Sequence, residues 1–268
     1  ADALISIGGG STIGLGKAIS IRTGLPHIAI PTTYAGSEVT PILGETADGR
    51  KETRSDPKIL PTVVIYDVDL TLTLPVGLTA TSGVNAIAHA VEALYARNSN
   101  PIISLLAVEG VEALATSLPE LTHDPTSKSA RSSALYGAWL CGTVLGHVGM
   151  ALHHKLCHTL GGSFNLPHAE THTVVLPHAL AYNAPAAPRA MARIAEALGA
   201  AHAAQGMFDL ARSLGAPTAL RDIGLREADL DVACDIALKT PYPNPRPLER
   251  AALRALLQDA YEGTRPRD

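Results

Sequence analysis

The apolar run Ala3-Leu4-Ile5-Ser6-Ile7 passes without a break into Gly8-Gly9-Gly10-Ser11. Such a run reads as a buried strand, and a glycine turn leading into a helix over residues 13–22 leaves few folds open. A lone parallel strand has no ladder partners, so neighbours joined by crossovers must follow. Ile28-Ala29-Ile30 and Val63-Val64-Ile65-Tyr66 are the comparable runs. Residues 1–76 are therefore expected to be part of an α/β, Rossmann-like nucleotide-binding domain. With so few strands, that domain is expected to lack its N-terminal portion.

From Leu78 onward the composition turns Ala- and Leu-rich with helical period. Helices are expected over residues 78–95, 101–117, 127–148, 151–160, 187–198, 206–214, 227–237 and 247–261. Stops are expected at Leu118-Pro119, His123-Asp124-Pro125 and the proline-rich stretch 242–247. Residues 77–268 thus read as an all-helical catalytic domain. Apolar runs look too interrupted to span a membrane. A formal net charge of −4, no basic run and 4% aromatic residues argue against nucleic acid as a partner. Three scattered cysteines argue against a disulfide framework and for a reducing, cytoplasmic setting.

Two loops have the makings of a cofactor site. Gly8 to Lys17 joins a strand to a helix N-terminus, where bare backbone N–H groups cradle phosphate. It lacks the ending of a nucleoside-triphosphate loop. Pro31-Thr32-Thr33-Tyr34-Ala35-Gly36-Ser37-Glu38 follows the next strand, where ligands of open α/β sheets sit. The plainer readings are a tight turn and a helix cap.

The histidines carry the chemistry. Asn85 and His89 lie one helical turn apart, as do His154 and His158, and Pro167-His168 follows what reads as a Gly-rich turn at Gly161-Gly162. An Asp at position 85 would complete an oxygen-and-nitrogen site for iron or zinc; Asn85 removes the only anionic ligand. The pocket is expected to work with less metal, or none, although three neutral imidazoles alone can hold zinc. Imidazoles charge readily beside an anion. With His153 and Lys155 nearby, the site could attract a dicarboxylate.

The order of Gly-Gly-Gly-Ser, Pro-Thr-Thr with Gly-Ser-Glu, Asp56-Pro57-Lys58-Ile59-Leu60-Pro61, the helix bearing His89, the His154/His158/His168 cluster and Asn244-Pro245-Arg246-Pro247 resembles the iron-containing alcohol dehydrogenase family, with its dehydroquinate synthase-like fold. Asn85-Ala-x-Ala-His89, Gly14 in the phosphate loop and the short Thr-Thr-Tyr-Ala-Gly-Ser-Glu loop resemble its metal-independent maleylacetate reductase branch most closely. The resemblance implies NADH or NADPH held by Gly9, Gly10, Ser11, Thr32, Thr33, Ser37 and Lys51. It also implies a small dicarboxylate enone substrate and a homodimer. Reduction of the conjugated double bond would then rest on a protonated histidine that stabilises an enolate and an acid that protonates carbon. His158 and His168 are the expected catalytic pair, with His89 and His154 in the same network. Asn85, Lys155 and His153 are assigned to the substrate. The alternatives are a metal-dependent alcohol or polyol dehydrogenase and a non-catalytic nucleotide-binding module.

Overall fold

The structure is a computed structural model and describes residues 1–47 and 50–267. Strands β1 (Leu4–Gly8), β2 (His27–Pro31) and β5 (Val63–Val64) form a parallel sheet with β2 in the middle. Helix α1 (Gly10–Thr23) makes the crossover from β1 to β2. This α1 begins at the glycine loop itself, three residues earlier than the pattern indicates. In β1 the apolar residues do not all face inward: Ser6 is buried, while Ile5 and Ile7 are 59% and 57% exposed. Alternation along a strand turns Ser6 toward α1, where its hydroxyl meets His27 Nε2 at 3.0 Å. A Cβ on Gly16 would collide with both side chains, so α1 lies close on the sheet because residue 16 has none.

An antiparallel hairpin, β3 (Ile42–Ala47) and β4 (Arg50–Ser55), is absent from the sequence reading. Charged residues in Arg50-Lys51-Glu52-Thr53-Arg54 mask its strand character. Lys51 pairs with Thr46 in the hairpin register. Its side chain, and so its assignment to the cofactor, lies outside the described residues.

Ten α-helices occur among the described residues, α2 to α10 following the sheet. Helix α2 (Val76–Leu94) is central, buried without interruption from Thr79 to Ala93. It packs on α3 (Pro101–His123) and α4 (Lys128–Leu145). Helix α3 runs through Leu118-Pro119, where a stop was expected. Burial of Leu114, Leu118 and Leu121 outweighs the one backbone bond that Pro119 removes. By length and composition alone α3 could cross a membrane, contrary to the reading that apolar runs are too short. Here it is a bundle helix. Arg131 on α4 is fully buried and donates to the Tyr34 hydroxyl (3.1 Å), Thr79 Oγ1 (2.8 Å) and the Leu74 carbonyl (3.2 Å). It fastens the Thr32–Ser37 loop to the bundle.

Helix α5 (Leu152–Phe164) continues through Gly161-Gly162; the turn falls instead at Asn165, in the left-handed conformation with φ 55°. Asn tolerates that conformation better than most side chains. Helix α6 (His168–Asn183) lacks any amphipathic period and escapes the pattern reading. Nearly every side chain from Thr171 to Asn183 is buried, so no polar face breaks the run. A second core joins α5 and α6 to α9 (Leu230–Leu238) and α10 (Arg250–Glu262). Helices α7 (Pro188–Ala197) and α8 (Ala203–Ser213) close the first core.

Candidate active site

The cofactor loops meet at the carboxyl ends of β1 and β2, where the Thr32 N–H donates to the Gly8 carbonyl at 3.0 Å. Gly9 is the N-cap of α1, no side chain caps the helix, and its first turn holds no acidic residue. That leaves N–H groups and a positive dipole end directed at an anion. A Cβ on Gly9 would sit 3.0 Å from Thr33 Cγ2, so the cradle would be filled by any other residue. Ser11 is exposed, and Thr32 and Thr33 are partly exposed around it. The loops therefore fit a dinucleotide pyrophosphate.

Ser37 is held from behind. Lys17, fully buried, donates to the Ser37 carbonyl, to Ser37 Oγ (3.3 Å), to Thr40 Oγ1 (3.0 Å) and to the Ile42 carbonyl (3.0 Å). Burial pulls the Lys17 ammonium down to about 8 against the attraction of Glu38. Glu38, also buried and raised by desolvation, accepts from the Tyr66 hydroxyl at 2.9 Å. Neither Lys17 nor Glu38 is a site residue in the sequence reading; a charged side chain inside a glycine loop was the available signal.

The histidine cage is assembled by α2, α5 and α6. Asn85 and His89 come from α2, His153, His154 and His158 from α5, and His168 from the first turn of α6. Ring centroids are 5.2 Å apart for His89 and His154, 6.2 Å for His154 and His158, and 5.1 Å for His153 and His154. His168 joins through His172, one turn along α6, at 4.3 Å. His172 lies 4.9 Å from His154 and 6.4 Å from His89, at the centre of the cluster. The sequence reading omits it, although His168 and His172 repeat the four-residue spacing used for the other pairs. Lys155 points elsewhere: its ammonium lies 5.8 Å from the centroid of the Tyr242 ring.

Glu92 anchors the cage and is likewise absent from the sequence reading, though it continues the Asn85/His89 face of α2 by one turn. Fully buried, its Oε2 accepts from His154 Nδ1 at 2.7 Å and from the Ala151 N–H at 2.9 Å. Its Oε1 accepts from the His153 N–H at 2.8 Å. Helix α5 has no cap of its own, so a carboxylate from α2 satisfies its first N–H groups and complements its dipole. The same carboxylate fixes the His154 ring with Nε2 directed away from Glu92.

Four buried polar atoms of the cage have no hydrogen-bond partner among the described residues: Asn85 Oδ1, His89 Nδ1, His154 Nε2 and His172 Nε2. Unpaired buried polar atoms are costly, so their grouping marks a ligand site. Burial, reinforced by neighbouring imidazoles, holds His89, His153 and His172 well below the usual histidine range. Of the rings expected to charge readily beside an anion, His89 and His153 are instead neutral at pH 7, as is His172. His158 and His168 are the exposed members, open to solvent protons. The interior donors are imidazole nitrogens and an amide oxygen, and the Glu92 carboxylate is turned to His154 and the start of α5. A divalent iron held there would meet no anionic ligand, so the residues do not fit a carboxylate-plus-imidazole iron site.

Asn244 exchanges hydrogen bonds with Asn183 at 2.7 and 3.1 Å, tying the proline-rich stretch to the end of α6. Arg246 lies over the Tyr182 ring at 4.4 Å. A separate cleft of about 1200 Å³, lined among others by Tyr95, Arg97, Met150, Arg189 and Tyr242, contains none of these histidines.

Residues 1–68 match the family model for iron-containing alcohol dehydrogenase, and residues 79–261 match the C-terminal model of the same family. The maleylacetate reductase of Burkholderia cepacia is 59% identical over 99% of this chain and 76% of its own length. The crystal structure of maleylacetate reductase from Agrobacterium tumefaciens superposes with a TM-score of 0.97 at 59% identity, over 99% of this chain and 76% of that one. A putative alcohol dehydrogenase from Ralstonia eutropha JMP134 superposes with a TM-score of 0.98 at 66% identity, over 100% and 76%.

Proposed function

The chain belongs to the iron-containing alcohol dehydrogenase family, and from that premise we propose that it reduces the conjugated double bond of maleylacetate to give 3-oxoadipate in the breakdown of aromatic compounds. The observation that carries this reading is Asn85, a neutral amide with an unpaired buried oxygen one turn from His89, where an Asp would give a metal its anionic ligand.

Reduced NADH or NADPH, when bound, supplies hydride for the alkene carbon beta to the ketone. Gly9, Gly10, Ser11, Thr32 and Thr33 would hold its phosphates, with Ser37 kept in place by Lys17. Negative charge then gathers on the ketone oxygen as an enolate. Neutral N–H groups of the buried imidazoles can stabilise that oxygen without the cost of burying a cation. The Asn85 amide can donate there as well, which a carboxylate could not. His158 and His168, in contact with solvent, are assigned the proton delivered to the neighbouring carbon, as general acids replenished from water. His89 and His154 hold the network, with Glu92 accepting from His154 Nδ1 and fixing the orientation of that ring. His153 is withdrawn from direct substrate contact, because it is fully buried and bonded to His172.

The same reading divides the chain at residues 76/77 into a cofactor part and a catalytic part, and takes the working protein to be a cytoplasmic homodimer. Three free, buried cysteines suit that compartment.

The test is oxidation of NADH and of NADPH with maleylacetate, run with and without a strong chelator, beside elemental analysis. Chelator-resistant turnover without stoichiometric metal is expected. The rival, a metal-dependent alcohol or polyol dehydrogenase, draws on the converging lone pairs of His89 and His154. Bound iron or zinc whose removal abolishes turnover would establish it instead.

A further inference from the structure

We propose that His172 presents a neutral Nε2–H to an oxygen of the substrate, and that His153 is the positioning residue that fixes this tautomer. The proposal deepens the reading of the cage as a dicarboxylate enone site and rests on it.

His172 is fully buried, and its Nε2 is among the cage atoms without a protein partner. Its ring lies 4.3 Å from that of His168 and 4.9 Å from that of His154, whose Nε2 is also without a protein partner. The other ring nitrogen is occupied: His172 Nδ1 lies 2.9 Å from His153 Nε2. Two neutral imidazoles in such contact share one proton, and the donor is decided by what lies behind it.

Behind His153 stands Cys157, one turn along α5, with Sγ 3.9 Å from Nδ1 and 3.7 Å from Nε2. Burial keeps that thiol protonated. A thiol at nearly equal distance from both ring nitrogens, weak as donor and as acceptor, leaves the polarity to what His172 faces on its far side. The polarity that suits an anionic ligand has His153 Nε2–H donating to His172 Nδ1, which leaves the remaining His172 proton on Nε2. The reverse polarity would aim a bare lone pair at an incoming carboxylate or enolate.

The ligand atoms of His153, Cys157 and His172 lie within 4.8 Å of one another, close enough to suggest a metal. The shared proton between the two imidazoles already occupies a lone pair that a metal would need. The neutral donor also solves an electrostatic problem. A buried imidazolium is expensive, whereas a pre-oriented N–H stabilises growing negative charge without reorganising.

The experiment is two-bond ¹H–¹⁵N spectroscopy of the histidine rings near neutral pH, on the whole protein, paired with steady-state kinetics. His172→Asn assigns the resonances. Wild type should show His172 protonated on Nε2 and bare on Nδ1. His153→Leu should mix the tautomers and raise the KM for maleylacetate by about tenfold, with the cofactor KM unmoved. His153→Gln keeps an N–H donor and should restore most of both signatures. A His172 that is protonated on Nδ1, or charged, in wild type would overturn the proposal. So would a folded His153→Leu protein with an unchanged maleylacetate KM. If wild type reduced no maleylacetate at all, the functional reading would fall with the substrate contact, while the spectra would still decide the tautomer.

Discussion

At the ends of β1 and β2 the chain offers backbone N–H groups and hydroxyls to solvent, with Ser11 exposed and Thr32 and Thr33 partly so. Between α2, α5 and α6 it does the opposite, burying imidazoles and one carboxylate among apolar side chains. The first region binds with what every residue carries and needs mainly the absence of side chains. The second binds with side chains whose charge and tautomer are set by burial. A backbone cradle should therefore fail gently and a side-chain cage abruptly.

The largest break is expected at Glu92. Glu92→Ala removes the partner of the His154 ring and of three backbone N–H groups, those of Ala151, His153 and His154, at the start of α5. Loss of about 3–5 kcal/mol is expected, measured by urea unfolding, because buried donors are left unpaired. A loss under about 1 kcal/mol would show that the cage does not depend on this anchor.

Next come the exposed histidines. His158→Ala and His168→Ala should each lower turnover by about a hundredfold or more, as loss of an acid–base group does, while unfolding curves stay near wild type. Near-normal turnover in both would remove them from the chemistry.

A third test uses pH. Burial depresses His89, His153 and His172, and takes His178 on α6 down to about 4. Below the ordinary histidine value the unfolded chain takes up protons that these folded rings refuse, so stability is complete above about pH 6.5 and falls as pH drops. His178 alone should cost about 2 kcal/mol between pH 7 and 5. Replacing it with Leu should flatten the acid limb of the stability profile by that amount. An unchanged limb would place the acid sensitivity elsewhere.

The smallest effect belongs to the cradle. Gly9→Val fills space beside Thr33 and should raise the cofactor KM by roughly tenfold, about 1.4 kcal/mol, with little change in the maleylacetate KM. A loss of stability as large as that of Glu92→Ala would erase the contrast between the two regions.

How much of this was legible depends on the element. Strands β1 and β2, the glycine loop and α2 were readable because each is a local pattern of a few residues. The Asn85/His89 and His154/His158 pairs were readable for the same reason, since one turn of helix brings both members to one face. Helix α6 was not, because a helix buried all round shows no period. His172 disappeared with it. Glu92 stood in plain view, but an acidic residue on a helix is ordinarily a solvated charge, and only its burial against α5 shows otherwise. The β3–β4 hairpin was hidden by its charges, and Gly161-Gly162 suggested a turn that Asn165 makes.

The sequence by itself determined which chemistry is available: a phosphate cradle without side chains, and a cluster of imidazoles with an amide at position 85. Those are properties of residue type and short spacing, which local geometry converts directly into faces and loops. Tertiary structure decided which imidazoles are neutral, which meet solvent and which nitrogen each one presents. Protonation and tautomer depend on desolvation and on partners far away in the chain, such as Glu92, 62 positions before His154. Helix packing brings them together.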